Sequence, residues 1–89
     1  MKITALIIGR VFKKQFKKLS KDVRIAFDER SDIFLNEPAH TLLNNHPLHG
    51  DRQDYWSINV TGSIRAIYKL QGTTAIFTEI GTHSELYGE

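Results

Sequence analysis

The sequence contains no cysteine in its 89 residues. Disulfide frameworks, thiolate metal sites and thiol catalysis are therefore excluded, and a reducing cytoplasm fits best. Long hydrophobic runs are also absent, because the apolar run of residues 3–8 ends at Gly9 and Arg10. Such a run is too short for the core of a signal peptide or for a membrane span. We therefore expect a soluble, cytoplasmic protein with no membrane contact.

The chain is too short for a second domain. With 89 residues, 40% of them hydrophobic, it can form one modest core, so residues 1–89 are predicted to be a single domain. A domain this small with neither disulfides nor an evident structural metal often gains stability from a partner. Binding to another protein is therefore expected.

Acidic residues are scarce in the first third of the chain. Residues 1–30 hold nine Lys or Arg against three acids, and residues 31–89 hold three against seven, so the net charge of +2 divides into +6 and −4. The basic cluster comprises Lys13, Lys14, Lys17, Lys18, Lys21 and Arg24. It could attract phosphate groups whatever the nucleotide sequence. Charge alone leaves a solvated helix surface equally open.

Hydrophobic spacing predicts an N-terminal strand and then two helices. Residues 2–8 are short, partly β-branched and halted by Gly9, which is typical of a strand. From Arg10 the apolar residues recur at helical spacing, with lysines on the opposite face. Ser20, followed by an acid in the first turn, predicts the start of a second helix, and Pro38 ends it at Glu37.

Three strands are predicted after a long polar loop of residues 38–53, a length that tends to be functional. The strands are residues 55–60, 64–70 and 74–80. Alternation in the last strand places Ala75, Phe77 and Glu79 on one face. The tail, with Leu86 and Tyr87, is expected to fold back onto the sheet. The result is an α+β fold of order β-α-α-β-β-β, with both helices on one face of an antiparallel sheet of about four strands.

The polar residues of the second half suit RNA cleavage without a metal. Attack by the ribose 2′-hydroxyl needs a proton acceptor, a cation for the phosphate and a proton donor, roles that His, Arg and Tyr can fill. His46 precedes a proline, which favours a restrained, extended position. Arg65 lies in an otherwise apolar strand, where its cation must face solvent, a partner or an anion. His83 and Tyr87 follow the last strand, and Tyr87 could stack on a base or hold a phosphate.

Each of these residues also has an ordinary structural explanation. A loop histidine is often a polar surface group, Arg65 suits any outward strand position, and a C-terminal aromatic often closes a core. His40, His46, His49 and Asp51 lie within twelve positions and could bind zinc together with His83. Their spacing fits no established zinc pattern, so no metal and no cofactor are predicted.

Several motifs together resemble a known family. They are the basic first helix, His-Pro-Leu-x-Gly at 46–50, Tyr-Trp-Ser at 55–57, Arg-x-Ile-Tyr-Lys-Leu at 65–70 and Gly-Thr-His-x-x-Leu-Tyr at 81–87. The combination resembles the RelE superfamily of toxin-antitoxin toxins, the mRNA interferases, with the YafQ and YoeB branches closest. The resemblance implies a RelE-like fold and an endoribonuclease that cuts mRNA in the ribosomal A site. The implied partners are mRNA, the ribosome with its 16S rRNA, and a cognate antitoxin that wraps around the toxin and silences it.

The resemblance also implies roles for individual residues. His46 stands where YafQ has a histidine and YoeB a glutamate, a proposed base. Arg65 stands at the phosphate-binding arginine of YoeB, and His83 matches the proposed acid of both branches. Tyr87 matches an aromatic residue of YafQ that positions substrate. The predicted catalytic residues are therefore His46, Arg65 and His83.

Two positions depart from the pattern. Asn59 replaces a histidine of YafQ and an arginine of YoeB, and Ser63 replaces an aspartate of YafQ. Arg65 is expected to take over the cationic role, with Arg52 in support. The predicted substrate-binding residues are Tyr87, Arg52, Asn59, Lys14 and Lys18.

Two other functions stay open. A ParE-like toxin shares the fold and poisons DNA gyrase without cutting anything, but it lacks the histidine pair, so His46 with His83 favours the nuclease. An inactive remnant that binds RNA or an antitoxin would explain Asn59 and Ser63. In each case the apolar surface beside the first two helices is where an antitoxin helix is expected to dock.

Overall fold

A computed structural model describes residues 1–88 of the chain. Its elements are β1 (Ala5–Ile8), α1 (Arg10–Lys17), α2 (Lys21–Asn36), β2 (His46–Pro47), β3 (Tyr55–Asn59), β4 (Ile64–Gln71), β5 (Thr74–Thr82) and α3 (His83–Tyr87). The strands form one sheet in the order β1-β5-β4-β3-β2, with β1 parallel to β5 and every other pair antiparallel. Within residues 1–88 no helix is both long and apolar enough to cross a bilayer.

The predicted α+β architecture and its element order are confirmed, with one extra strand and one parallel pair. The sheet has five strands and is mixed, where about four antiparallel strands were expected. β2 was missed because two residues, one of them Pro47, offer no alternation to detect. The direction of β1 was missed because strand composition does not encode the orientation of its partner.

Local signals fix both ends of the second helix. The Ser20 hydroxyl accepts a hydrogen bond from the Val23 amide at 3.4 Å, so it caps the first turn of α2 as predicted. The helix ends at Asn36, one residue before Glu37 and two before Pro38. α1 begins directly after Gly9, whose amide donates to the Phe77 carbonyl at 2.8 Å.

Both helices pack on one face of the sheet through aromatic side chains. Phe12 and Phe27 from the helices meet Phe77 from β5, and Phe34 meets Tyr68 from β4. These ring centroids are 4.9–5.9 Å apart in tilted or edge-to-face arrangements, which suit the aromatic quadrupole. All five side chains are 5% exposed or less, so this face of the sheet is the core. No long helix of residues 1–88 covers the opposite face, which we call the open face.

A β-bulge in β5 changes which side chains reach the open face. Ile67 pairs with Glu79, but Tyr68 pairs with Phe77, so Thr78 has no partner in β4. Side chains of a strand alternate between the two faces, so the extra residue Thr78 shifts this alternation by one position for the residues that follow it. Phe77 and Ile80 therefore both point into the core, and Glu79 points to the open face. The prediction that Glu79 shares a face with Ala75 and Phe77 is wrong for this reason.

The polar loop and the tail have more structure than the sequence indicated. Within residues 38–53 lie β2 and two 3₁₀ turns, Thr41–Leu43 and Gly50–Arg52. The tail forms α3, whose first turn is fixed by a capping box in which the side chains of Thr82 and Glu85 each accept the other's backbone amide. Leu86 is 5% exposed, so the tail folds back onto the domain as predicted.

Candidate active site on the open sheet face

Two rows of side chains cross the open face. In the first, His46, Ser57, Ile67 and Glu79 are successive register partners on β2, β3, β4 and β5. In the second, Asn59, Arg65 and Gly81 are partners on β3, β4 and β5. Register partners project to the same side of a sheet, and these rows are two residues apart along each strand, about 7 Å. The sheet therefore places His46, Asn59 and Arg65 on one surface.

His46 is held in one tautomer by the turn that precedes β2. Its Nδ1 lies 2.7 Å from the carbonyl oxygen of Asn44. Because a carbonyl only accepts, Nδ1 must carry the hydrogen, which leaves the Nε2 lone pair available as an acceptor. Asn44 adopts a left-handed conformation with φ 43°, which asparagine tolerates better than most residues. The imidazole is thus oriented as a proton acceptor needs to be.

Arg65 is fixed by the turn between β3 and β4. Its Nη1 donates to the carbonyl oxygens of Thr61 at 3.0 Å, Gly62 at 3.2 Å and Ile64 at 3.3 Å. All three hydrogen bonds use Nη1, so the N–H groups of Nη2 and Nε can donate to a ligand. A guanidinium anchored at one corner and open at the others suits an oxyanion such as a phosphate.

α3 packs against the same face and brings His83 and Tyr87 with it. A Cβ atom at Gly81 would lie 3.1 Å from Glu85 Oε1 and 3.6 Å from Leu86 Cδ2, so glycine gives α3 the space to sit over the second row. The rings of His83 and Tyr87, one helical turn apart, have centroids 4.4 Å apart. Since Gly81 is the register partner of Arg65, α3 begins two residues after the β5 end of this row.

A cavity of about 650 Å³ opens on this face. It is lined by His49, Asp51, Arg52, Tyr55, Thr78, Glu79, Leu86 and Tyr87. Of the residues predicted for the site, Tyr87 and Arg52 line the cavity, and His83 borders it through its contact with Tyr87. His46, Arg65 and Asn59 share the open face but do not line the cavity.

Sequence reasoning missed several cavity residues. His49 was weighed as a metal ligand and Tyr55 belonged to a motif, but neither was among the predicted site residues. Glu79 was placed on the same face as Ala75 and Phe77, although a lone carboxylate in an apolar strand signals an exposed or paired position. Among residues 1–88 no three His, Asp or Glu side chains converge as a metal site, so the histidines around position 46 do not assemble one.

Arg52 is engaged by protein groups. Its Nη1 lies 2.5 Å from Glu79 Oε2, and its Nη2 donates to the backbone oxygen of Leu86 at 2.9 Å. The guanidinium carbon lies 5.8 Å from the centre of the Tyr87 ring. The hydrogen bond with Glu79 raises the pKa of Arg52 above its ordinary value, so the cation persists throughout the accessible pH range.

No protein-family model matches the chain, and no curated protein resembles it in sequence. Solved structures do resemble it. YafQ from E. coli strain BL21(DE3) superposes with a TM-score of 0.80 at 23% identity over 93% of this chain and 97% of YafQ. A chain of the E. coli DinJ-YafQ toxin-antitoxin complex matches with a TM-score of 0.77 at 22% identity, over 99% of this chain and 100% of that one. A YoeB/ParE toxin from Agrobacterium tumefaciens superposes with a TM-score of 0.74 at 17% identity, over 90% of this chain and 99% of that one.

The chain has the RelE-like fold of these toxins. The structural similarity covers nearly the whole length of both chains in each comparison. The resemblance seen in the motifs is therefore confirmed at the level of the fold. A fold shared at such low identity does not carry an activity with it, and function has to be argued from the site.

The predicted substrate lysines lie at the edge of the site. Lys18 lines a small cavity together with Gly81 and Glu85, next to α3. Lys14 is exposed and lies one helical turn earlier on the same side of α1. Lys13 and Lys17 line a different, apolar groove on the other side of the helix. The basic cluster is therefore divided between two surfaces, and only the Lys14 and Lys18 side adjoins α3.

Two polar groups under the open face have no hydrogen-bond partner among the described residues. They are the hydroxyl of Ser57, which is fully buried beside His46 in the first row, and the side-chain oxygen of Asn59 beside Arg65 in the second. An amide at position 59 places a neutral group next to Arg65. Whatever positive charge the second row offers therefore comes from Arg65.

Proposed function

We propose that this protein is the toxin of a type II toxin-antitoxin system and an endoribonuclease that cleaves mRNA on the ribosome. The observation that carries the proposal is the His46 Nδ1 hydrogen bond to the Asn44 carbonyl, which leaves Nε2 as the ring nitrogen that can accept a proton. Arg65 and α3, with His83, lie on the open face together with His46. The RelE-like fold supports the same assignment by analogy.

In the proposed reaction His46 Nε2 accepts the proton of the ribose 2′-hydroxyl. The 2′-oxygen then attacks phosphorus, and the bond from phosphorus to the 5′-oxygen breaks. Arg65 offers its Nη2 and Nε donors to the phosphoryl oxygens, where negative charge accumulates in the transition state. His83 in its protonated form gives a proton to the departing 5′-oxygen. The products are a 2′,3′-cyclic phosphate and a free 5′-hydroxyl, and no metal takes part.

The proposal includes specific partners. The solved neighbours include toxins in complex with antitoxins, DinJ-YafQ among them, which supports a cognate antitoxin here. A substrate on the ribosome would bring 16S rRNA within reach of Lys14 and Lys18, at the edge of the site. Tyr87, beside His83 in the cavity, is placed to stack on a base of the mRNA.

The decisive experiment measures cleavage of ribosome-bound mRNA by the wild type and by His46→Ala and His83→Ala. Removing either proton-transfer group should slow cleavage by about 10²- to 10⁴-fold. Because one imidazole must be neutral and the other protonated, the wild-type rate should fall on both sides of an optimum pH. The fall in rate at acidic pH should be absent from His46→Ala, and the fall at alkaline pH should be absent from His83→Ala.

A matched control is His40→Asn, which changes a histidine outside the open face. The His40 side chain accepts the Leu42 amide at 3.1 Å, and asparagine can preserve that cap. This variant should cleave like the wild type. Full cleavage by His83→Ala would refute the assignment. Absence of cleavage by the wild type, combined with inhibition of DNA gyrase supercoiling, would favour the ParE-like alternative.

A further inference from the structure

α3 needs anchors that its own length does not supply. Five residues cannot form a stable helix in isolation, because nucleation outweighs the few hydrogen bonds gained. Its N-terminus is fixed by the capping box, and Leu86 packs its side chain inward. Its C-terminal end, which carries Tyr87, is held by the hydrogen bond from Arg52 to the Leu86 carbonyl.

Arg52 connects three separate parts of the chain. It lies at the end of the 3₁₀ turn Gly50–Arg52, three residues before Tyr55, where β3 begins to pair with β4. From there it reaches Glu79 on β5 and Leu86 on α3, which lie 27 and 34 residues further along the sequence. Glu79 is on the open face only because of the bulge at Thr78. The bulge therefore creates the partner that orients Arg52 towards α3.

The charges around Arg52 argue against a phosphate at this position. Glu79 matches its positive charge, and the side chains of both are only 27% and 28% exposed. An approaching phosphate would have to displace this carboxylate or lie beside it, and like charges repel. Asp51 adds a further carboxylate to the cavity lining. Arg65, which has no carboxylate partner among the described residues, is better placed to meet an anion.

We propose that Arg52 and Glu79 form a clamp that positions α3, and through it His83 and Tyr87, and that Arg52 is not a ligand of the substrate phosphate. The clamp is the Arg52–Glu79 ion pair together with the Arg52 hydrogen bond to Leu86. This role rests on the proposed function for its effect on cleavage, but the clamp itself is a property of the free protein and can be tested without any activity.

The test compares Arg52→Ala and Glu79→Ala in two measurements. In nuclear magnetic resonance spectra, the Tyr87 ring 4.4 Å away should shift the His83 ring protons, and release of α3 should move them towards unstructured values. Both substitutions should give this change. In the cleavage assay both should lower kcat by on the order of tenfold to a hundredfold with little change in KM, because a displaced catalytic group costs rate more than binding.

The opposite assignment predicts a different pattern. If Arg52 bound phosphate, Arg52→Ala would weaken RNA binding and reduce its salt slope by about one, whereas Glu79→Ala would remove a repulsive charge and strengthen binding. Effects of opposite sign, or His83 signals unchanged in both variants, would overturn the clamp. Asp51→Ala is the control, since it removes a carboxylate from the same cavity without touching the clamp, and its His83 signals should match the wild type.

Two further variants keep the result interpretable if a substitution unfolds the domain. Glu79→Gln keeps the shape and one acceptor, so it should show a smaller change than Glu79→Ala. The charge swap of Arg52→Glu with Glu79→Arg re-forms the ion pair but loses the hydrogen bond to Leu86, and should recover the fold with α3 still released. If the wild type cleaves no RNA, the proposed function fails while the resonance measurement still decides the clamp.

Discussion

Tyr68→Phe tests how the loop that carries His46 is held in place. The Tyr68 side chain is fully buried, and its hydroxyl donates to Asn45 Oδ1 at 2.6 Å. Asn45 in turn donates to the Pro38 carbonyl at 3.1 Å. This chain of hydrogen bonds ties β4 to both ends of the loop that leads into β2.

The expected loss is about 1 kcal/mol of unfolding free energy, the usual net value of a neutral buried hydrogen bond. Asn45 is half-buried, so in the variant a water molecule can donate to its side-chain oxygen in place of the Tyr68 hydroxyl. The cost therefore stays near ~1 kcal/mol. For a domain of this size the melting temperature should fall by about 4–8 °C. Urea and thermal unfolding followed by the fluorescence of Trp56, the single tryptophan, would measure it.

The same substitution should change the response to alkaline pH. Burial raises the pKa of Tyr68 above its ordinary value of 10.0. Above pH 10 the unfolded chain therefore releases a proton that the folded protein keeps, so stability is full below pH 10 and falls as pH rises. Between pH 10 and pH 11 the wild type should lose about 1 kcal/mol that Tyr68→Phe does not lose.

Tyr55→Phe is the control for both measurements, because Tyr55 is half-exposed and has no hydrogen bond recorded for its hydroxyl within residues 1–88. It should match the wild type in melting temperature. The reasoning is refuted if Tyr68→Phe is as stable as the wild type at neutral pH, or if both proteins lose stability equally between pH 10 and pH 11.

Three other predictions concern the helix surface and the strand ends. Lys18→Ala should weaken RNA binding and lower its salt slope by about one, whereas Lys13→Ala, on the other side of α1, should leave the slope unchanged in a binding titration. Gln15→Ala should cost about 1–3 kcal/mol in urea unfolding, because Gln15 Oε1 accepts the buried Ile80 amide at 2.8 Å; an unchanged midpoint would contradict this. Gly72→Ala should cost about 1 kcal/mol in thermal unfolding, because φ is +63° there, and a variant as stable as the wild type would disprove the strain.

What the sequence predicted well was encoded locally. The Ser20 cap, the helical spacing of Phe12 and its neighbours, and the strand after residue 73 all depend on residues within one or two turns of each other.

What the sequence did not reveal depends on distant pairing. Arg52 and Glu79 are 27 residues apart, and their contact requires both the 3₁₀ turn and the bulge, neither of which has a period to detect. The tautomer of His46 depends on the Asn44 carbonyl, which only a left-handed turn can present. α3 was read as a tail because five residues are too few for a helical pattern to emerge.

The parallel pairing of β1 with β5 also constrains how the chain folds during synthesis. Thr4 and Thr73, whose hydroxyls lie 2.6 Å apart, are separated by 69 positions, so the N-terminal strand has no hydrogen-bonding neighbour until β5 has been made. Closing so long a segment delays folding and leaves early apolar residues unprotected. Glu79, Gly81 and His83 therefore join the open face only after β5 and α3 have been synthesised.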